Sequence, residues 1–282
     1  MEGTPPVERI RARLQRTGAP LCVGIDPHPE ALPEGVAAGI QGIEAFSRGL
    51  LEAAAEHASA VKVNVAFFEA FGAGGWAALE RVRRDVPADL PLILDAKRGD
   101  IGSTAERQAA ALLGLLGADG VTLSPYLGED AIEPFLAYPD RIVYVLARTS
   151  NPSAATIQDL ATVAAGETGG ELPLYVRVAS WVAQRWPEPR VGLVVGATAP
   201  DELASLRREV PGPAFLVPGV GAQGGDLATA VRACHGTLAP GLVNVSRGIA
   251  GASRGTDWQR AAGAAARSLS AAMAELGATL PA

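Results

Sequence analysis

Residues 90–103 read Leu-Pro-Leu-Ile-Leu-Asp-Ala-Lys-Arg-Gly-Asp-Ile-Gly-Ser, a short apolar run that leads directly into four charged side chains. The apolar part has the length and composition of a buried strand, and Asp95 and Lys97 lie two positions apart where that strand ends. On a regular extended strand both side chains would point to the same face. Because an unpaired buried charge is costly, the stretch predicts a paired, charged site, and we expect a reacting centre there.

Short β-rich runs of the same kind, each bounded by turn residues, recur along the 282-residue chain. With residues 90–95, the predicted strands are Leu21–Asp26, Ala60–Val65, Gly120–Leu123, Arg141–Ala147, Val191–Val195, Ala214–Pro218 and Leu242–Ser246. Most of these runs are almost continuously apolar, as expected for strands that are covered on both faces. Segments of helical character, rich in Ala, Leu, Glu and Arg, separate them. Eight such repeats in a chain of this length predict an α/β fold, the (β/α)8 or TIM barrel.

The whole chain, residues 1–282, is expected to form a single barrel domain, since no low-complexity linker interrupts it. The connection after the fifth strand, residues 152 to about 190, is longer than an ordinary crossover and predicts an elaborated loop-and-helix region. In this fold the chemistry takes place at the carboxyl ends of the strands. Unusual polar residues should therefore cluster at those ends.

Polar side chains do occur where the first two strands end. Asp26 follows strand one, and strand two carries Lys62 and Asn64 on one face with valines on the other. Lys62 could simply extend its ammonium to solvent, but a barrel strand has little water beside it, so we expect a carboxylate partner. Asp26 and Asp95 are the candidates for that partner. Asp26 could also be only a turn-forming residue, and Asp100 only a helix cap.

The ends of strands seven and eight carry residues suited to an anion. Residues 219–225 include four glycines, which let backbone N–H groups approach an anion closely. Arg247 offers a guanidinium fork that matches phosphate oxygens, and Gly248 begins a segment whose free N–H groups favour anions. Barrels of this class often bind phosphate at this position, so we expect a phosphate site here. Flexible turns beside a solvated arginine would give the same pattern.

Composition and charge argue against several classes of function. A net charge of −6 argues against nucleic-acid and anionic-membrane partners, and no run is long and apolar enough to span a membrane. Two cysteines, Cys22 and Cys234, are too few for a disulfide framework, and no signal peptide is visible, so we expect a cytoplasmic protein with reduced thiols. We find no metal-ligand spacing, P-loop or dinucleotide fingerprint, and therefore expect neither a metal nor a cofactor.

The charged stretch resembles a known family signature. Asp-Ala-Lys-Arg-Gly-Asp-Ile at 95–101 is similar to the DxKxxDI motif of the orotidine 5′-phosphate decarboxylases. DxKxxD alone is shared with sugar-phosphate enzymes on the same barrel, whereas Thr-Ser-Asn-Pro at 149–152 and Pro-Gly-Val-Gly-Ala-Gln-Gly-Gly at 218–225 are more selective. The resemblance extends along nearly the whole chain and points to the longer, type 2 subfamily, which residues 24–27, 61–69 and 244–249 also resemble.

This resemblance implies a cofactor-independent carboxy-lyase that converts orotidine 5′-phosphate to uridine 5′-phosphate (UMP) and CO2, the last step of de novo pyrimidine biosynthesis. Lys97 would protonate the C6 carbanion, within an array of alternating charges formed with Lys62, Asp95 and Asp100. The family also implies a homodimer with shared active sites, in which Asp100 and Thr104 reach the partner's site. The implied substrate contacts are Asp26 and Lys62 at the ribose, Asn64 on the same strand as Lys62, Thr149 or Ser150 at the pyrimidine edge, and Gln223, Arg247 and Gly248 at the phosphate.

Two other functions stay open. A sugar-phosphate lyase or decarboxylase on the same barrel would usually require a Mg²⁺ site built from carboxylates. A non-catalytic barrel could bind a phosphorylated metabolite as a sensor, although a mere binder has little use for a buried lysine between carboxylates.

Overall fold

The computed structural model describes residues 3–163, 170–221 and 224–278. Within these residues eight parallel strands close into a barrel in the order β1-β2-β3-β4-β5-β8-β9-β10, and β10 pairs with β1. These strands are Leu21–Ile25 (β1), Ala60–Asn64 (β2), Leu92–Arg98 (β3), Gly120–Leu123 (β4), Ile142–Arg148 (β5), Val191–Val195 (β8), Phe215–Pro218 (β9) and Leu242–Val245 (β10). The predicted TIM barrel is confirmed, and each predicted strand overlaps an observed one.

Helices surround the barrel and follow most of its strands. They are Pro6–Thr17 (α1), Gly39–Ala54 (α2), Ala66–Glu69 (α3), Gly72–Asp85 (α4), Gly102–Ala109 (α5), Glu133–Leu136 (α6), Ala155–Gln158 (α7), Leu174–Arg185 (α8), Pro200–Glu209 (α9), Leu227–Cys234 (α10), Arg247–Ala250 (α11) and Trp258–Ala278 (α12). A π-helical segment, Ala110–Leu115, continues α5. No helix in the described part of the chain is both long enough and apolar enough to cross a membrane.

The strands divide their side chains between two parts of the core. In β1 all five residues are buried. Leu21, Val23 and Ile25 belong to the large core cluster between the strands and the surrounding helices, whereas Cys22 joins a second cluster, made mostly of strand residues together with two residues of α1. Tyr144 of β5 belongs to the same interior cluster as Cys22. This second cluster fills the barrel interior toward the amino ends of the strands. The next inward-facing positions toward the carboxyl ends, such as Lys62 of β2, are therefore free to carry polar groups.

The end of β3 departs from the regular strand that the sequence predicts. Its pairing with β4 shifts between Leu94 and Arg98, and Lys97 has a φ of 46°, in the left-handed region. Regular alternation along an extended strand is therefore the wrong reason for placing Asp95 and Lys97 on one face. The two side chains meet because the backbone bulges between them and turns Lys97 back toward the barrel axis.

The connection between β5 and β8 contains α7, α8 and a small antiparallel pair, Ala161–Thr162 (β6) with Leu172–Pro173 (β7). Arg148, at the end of β5, holds this region against the barrel. Its guanidinium donates to Glu202 of α9 at 2.7 Å and faces Gln158 and Asp159 at 3.4 Å each. The same group lies 5.5 Å from the ring centre of Tyr175 in α8. The end of α7 is thereby fixed beside the carboxyl ends of the strands.

Candidate active site

A cavity of about 510 Å³ opens at the carboxyl ends of the barrel strands. This volume is typical of small-molecule sites. Seven of the residues predicted from the sequence line it: Asp26, Lys62, Asp95, Lys97, Thr149, Ser150 and Arg247. Five further polar residues, which the sequence did not single out as site residues, also line it: Thr122, Asn151, Gln158, Asn244 and Ser246.

A buried lysine between two carboxylates lies at the base of this cavity. The side chain of Lys62 is 5% exposed, and its Nζ donates to Asp95 Oδ2 at 2.9 Å and lies 3.7 Å from Asp26 Oδ1. Both candidate partners are therefore used. Burial alone would lower the pKa of Lys62, but the charges of Asp26 and Asp95 outweigh it and raise that pKa. Lys62 is a permanent positive charge at neutral pH.

Asp95 is shared between two lysines that differ in exposure. Its Oδ1 accepts a hydrogen bond from Lys97 Nζ at 2.5 Å. Burial alone would raise the pKa of Asp95, but Lys62 and Lys97 outweigh it and hold that pKa well below its usual range. The Lys97 side chain is 49% exposed, against 5% for Lys62. Of these two lysines, Lys97 is thus the one that a molecule bound in the cavity can contact, while Lys62 is a buried, fixed charge.

Thr122 contacts this charged centre, and sequence reasoning missed it. Its hydroxyl donates to Asp95 Oδ1 at 3.0 Å and accepts the backbone N–H groups of Ala96 and Lys97 at 3.1 and 3.0 Å. The residue is 1% exposed. The only signal in the sequence is a single hydroxyl in the otherwise apolar run Gly-Val-Thr-Leu at 120–123.

Two buried acceptors at the cavity have no hydrogen-bond donor within the described residues. They are Asp26 Oδ1 and Asn244 Oδ1, and Asn244 is 6% exposed. Gly24 makes room for this side of the cavity, because a Cβ there would lie 1.9 Å from Ser246 Oγ and 3.0 Å from Asn244 Oδ1. Buried acceptors are normally satisfied by a partner. Their arrangement suits donor groups on a bound molecule, such as hydroxyls.

Thr149 and Ser150 line the cavity in different ways. Gln158 Nε2 donates to Thr149 Oγ1 at 2.7 Å, and Gln158 Oε1 accepts from the Thr149 N–H at 2.9 Å. The Thr149 hydroxyl in turn donates to Asn151 Oδ1 at 2.6 Å. By contrast, the Ser150 hydroxyl makes no hydrogen bond with the rest of the described chain. Thr149 is thus tied to α7, and Ser150 is the hydroxyl that remains available to a ligand.

The predicted anion site lies on the opposite side of the cavity from β3. Arg247 lines the cavity, and its guanidinium forms no ion pair within the part of the chain that is described. The glycine-rich turn after β9 requires left-handed backbone, with a φ of 98° at Gly219, which also lines the cavity. Gly248 is exposed beside Arg247 and does not line the cavity. Gln223 lies outside the described residues.

Three other residues predicted for the site do not line this cavity. The Asn64 side-chain oxygen accepts the N–H of Ala66 at 3.2 Å and so ends β2 locally. Asp100 lies in the loop after β3, and its carboxylate accepts the N–H of Ile101 at 2.8 Å rather than facing Lys97. Thr104 is exposed on α5. The charged centre within this chain therefore consists of Lys62, Asp95 and Lys97, with Asp26 beside them.

Comparison with known proteins agrees with this geometry. Residues 19–261 match the sequence model of the orotidine 5′-phosphate decarboxylase / HUMPS family. The chain is 50% identical over 264 residues to the orotidine 5′-phosphate decarboxylase of Roseiflexus castenholzii, covering 93% of this chain and 94% of that one. With the enzyme of Thermomicrobium roseum it shares 46% identity over 268 residues, 92% of each chain. Its fold is similar to that of Leishmania donovani OMP decarboxylase, with a TM-score of 0.83, 37% identity, and coverage of 98% of this chain and 100% of that chain. The resemblance seen in the sequence is confirmed, and the chain belongs to the orotidine 5′-phosphate decarboxylase / HUMPS family.

Proposed function

We propose that this chain decarboxylates orotidine 5′-phosphate to UMP and CO2, as a cofactor-independent carboxy-lyase of pyrimidine biosynthesis. The observation that carries the proposal is the accessible Lys97 ammonium, 2.5 Å from the ionised Asp95 and above the buried Lys62. Relatives at 50% and 46% identity bear the name of this activity. Both cysteines are buried free thiols, which favours a reducing, cytoplasmic location.

The reaction requires a positive charge close to C6 of the pyrimidine. When the bond from C6 to the carboxylate breaks, the electron pair stays on C6, which has no adjacent electron sink. The Lys97 ammonium stabilises this developing negative charge and then donates its proton to form the C6–H bond of UMP. Because Asp95 is already ionised and paired, the charged groups need little reorganisation during the reaction.

Asp95 also faces the departing carboxylate in this proposal. Two unit charges about 4 Å apart repel by about 4 kcal/mol at an effective dielectric constant near 20. This repulsion accelerates the reaction only to the extent that it fades as the transition state forms. We therefore assign the larger effect to Lys97.

The rest of the cavity provides separate contacts for the remaining parts of the nucleotide. Arg247 binds the phosphate, and the unsatisfied oxygens of Asp26 and Asn244 accept hydrogen bonds from the ribose hydroxyls. Ser150 contacts the pyrimidine edge, because the Thr149 hydroxyl is already engaged by Gln158. The phosphate is remote from the bond that breaks. Its binding energy can still raise the rate of the chemical step.

A homodimer with shared sites completes the proposal. Asp100 and Thr104 do not line this chain's own cavity, which leaves them available to the site of a neighbouring copy. Large apolar side chains are exposed after β3 and after β4, with Ile101 51% and Tyr126 86% exposed. Exposed large apolar side chains of this kind support an interface with a second copy.

Complementation tests the shared site. Mixing Asp100→Ala chains with Arg247→Ala chains should produce heterodimers in which one site carries neither substitution, and activity should reappear. Absence of recovery in purified, verified heterodimers would contradict sharing.

Loss of orotidine 5′-phosphate absorbance with the purified protein tests the proposed reaction itself. Lys97→Ala should lower kcat by roughly 10²- to 10⁴-fold, the usual contribution of a general acid, while UMP binds within a few-fold of wild type. Substantial residual turnover would remove Lys97 from this role. Turnover that disappears in EDTA, together with activity on sugar phosphates, would favour the Mg²⁺-dependent alternative.

A further inference from the structure

We propose that Thr122 is a positioning residue for the decarboxylation, which holds the Lys97 ammonium in place through one hydroxyl group. This role rests on the proposed function, because it concerns the same reaction. It adds a residue of β4 to a charged centre that the sequence assigns to the ends of β1, β2 and β3.

The Thr122 hydroxyl uses its whole hydrogen-bonding capacity at this site. A threonine hydroxyl has one donor and two acceptor positions. It donates to Asp95 Oδ1 at 3.0 Å, and it accepts from the N–H groups of Ala96 and Lys97 at 3.1 and 3.0 Å. With all three positions occupied and the residue 1% exposed, the hydroxyl has a single orientation.

These bonds support a backbone that would otherwise relax. Leu94 pairs with Val121 and Arg98 with Leu123, so β3 places three residues opposite the single residue Thr122. The bulge deprives Ala96 and Lys97 of regular partners on β4, and the Thr122 hydroxyl takes their place. Among the described residues, Lys97 is also the one non-glycine residue with a positive φ, 46°. A left-handed conformation strains the backbone of a residue with a side chain, and it persists only where the surrounding contacts hold it in place.

The same hydroxyl determines how Asp95 divides its two oxygens. Oδ2 accepts from Lys62 at 2.9 Å, whereas Oδ1 accepts from both Thr122 and Lys97. Thr122 thereby prevents rotation of the carboxylate and directs Oδ1 toward Lys97. Main chain and side chain of Lys97 are thus both held through one group. A misplacement of about 1 Å at a reacting centre can lower a rate by about 10²-fold.

Thr122→Val removes the hydroxyl at nearly constant volume, and Thr122→Ser keeps it while removing a methyl group. We expect Thr122→Val to lower kcat by about 10²-fold, with KM and the UMP dissociation constant within a few-fold of wild type. Thr122→Ser should keep most of the wild-type kcat. A loss in the serine variant as large as that in the valine variant would indicate apolar packing and overturn the proposal, as would a wild-type kcat in Thr122→Val.

A second pair of variants covers the case in which valine at this position prevents folding. Thr122→Cys places a thiol, a weak hydrogen-bonding group, where Thr122→Ser places a hydroxyl, and the two side chains differ little in shape. The cysteine variant should show the kcat loss and the serine variant should not, at equal thermal stability. If the wild-type protein fails to decarboxylate the nucleotide, the proposed function fails together with this role. If the wild type turns over and the cysteine and serine variants are equal, only the role of Thr122 fails.

Discussion

Replacing Lys62 by Met tests whether the charged centre is a coupled unit. The substitution removes the ammonium, which is 5% exposed, and leaves the carboxylates of Asp95 and Asp26 without their shared cation. At the 2.9 Å that separates Lys62 Nζ from Asp95 Oδ2, the attraction is about 6 kcal/mol for an effective dielectric constant near 20. Desolvation of the buried ammonium opposes part of this attraction.

The expected loss of stability depends on which hydrogen-bond and ion-pair partners each carboxylate keeps in the variant. Removing one partner of a buried pair typically costs about 3–5 kcal/mol, because the other charge is left uncompensated. Asp95 keeps its bonds to Lys97 and Thr122, so we expect the lower end, about 3 kcal/mol. At about 2 °C per kcal/mol for a chain of this size, Lys62→Met should lower Tm by about 6 °C.

Urea unfolding followed by tryptophan fluorescence measures these free energies, with Asp95→Asn and the double variant completing a cycle. The double variant should be about 2 kcal/mol more stable than the sum of the single changes predicts, because it removes both charges of the pair. Additivity within about 0.5 kcal/mol would refute the coupling.

The pH dependence of the stability difference between wild type and Lys62→Met provides a second check. The pKa of Lys62 is raised, so its contribution is fully present below the ordinary value of 10.5 and is lost only as pH rises through the folded value. The pKa of Asp95 is lowered, so its contribution is present above 3.8 and is lost as pH falls through the folded value. The stability difference between wild type and Lys62→Met should therefore be flat between about pH 6 and pH 9.

Three other substitutions test the proposed base contact, the proposed phosphate contact and a buried histidine. Ser150→Ala should weaken UMP binding about tenfold by calorimetry, since a ligand group loses its partner, and unchanged affinity would reject Ser150 as the base contact. Arg247→Ala should weaken UMP binding by roughly 10- to 100-fold and leave uridine binding unchanged, whereas equal losses for both would argue against a phosphate contact. Burial, and then the charge of Arg207, lower the pKa of His235 below 6.5, so its contribution to stability is present above that value and is lost as pH falls through the folded pKa. Thermal unfolding should accordingly show a smaller drop in Tm from pH 7.5 to pH 5 for His235→Asn, which can still accept the Gly241 N–H, than for wild type, and equal drops would refute this role.

The barrel and most of its charged centre could be predicted because both depend on local and repetitive signals. Each strand is an apolar run bounded by turn residues, and closure of a parallel barrel brings all carboxyl ends to one face. Asp26 directly follows β1, while Lys62 and Asp95 lie on β2 and β3, yet knowing the fold is enough to place the three together. The partner of Lys62 could not be chosen from the sequence because neighbouring strands on either side supply one carboxylate each, and the structure uses both.

The features that escaped prediction depend on departures from regular geometry. Threonine is a common strand residue, so Thr122 does not stand out until the bulge in β3 removes the backbone partners opposite it. Gln158 belongs to the long connection after β5, and only the folded path of that connection returns it to Thr149. Asn64 has the spacing of an inward-facing residue, but β2 ends there and its side chain caps the turn instead.

The polar groups that line the cavity divide into those whose hydrogen bonds are satisfied and those whose hydrogen bonds are not, and this division separates chemistry from binding. Lys62, Asp95 and Lys97 are paired with one another before any nucleotide arrives, so the reacting centre is preorganised and its charges need little rearrangement. Asp26 Oδ1 and Asn244 Oδ1, in contrast, gain a donor only when a ligand supplies one. The favourable free energy of binding therefore comes from contacts with parts of the nucleotide other than C6. Changes at these unsatisfied acceptors should act mainly on affinity, and changes at the preorganised centre mainly on kcat.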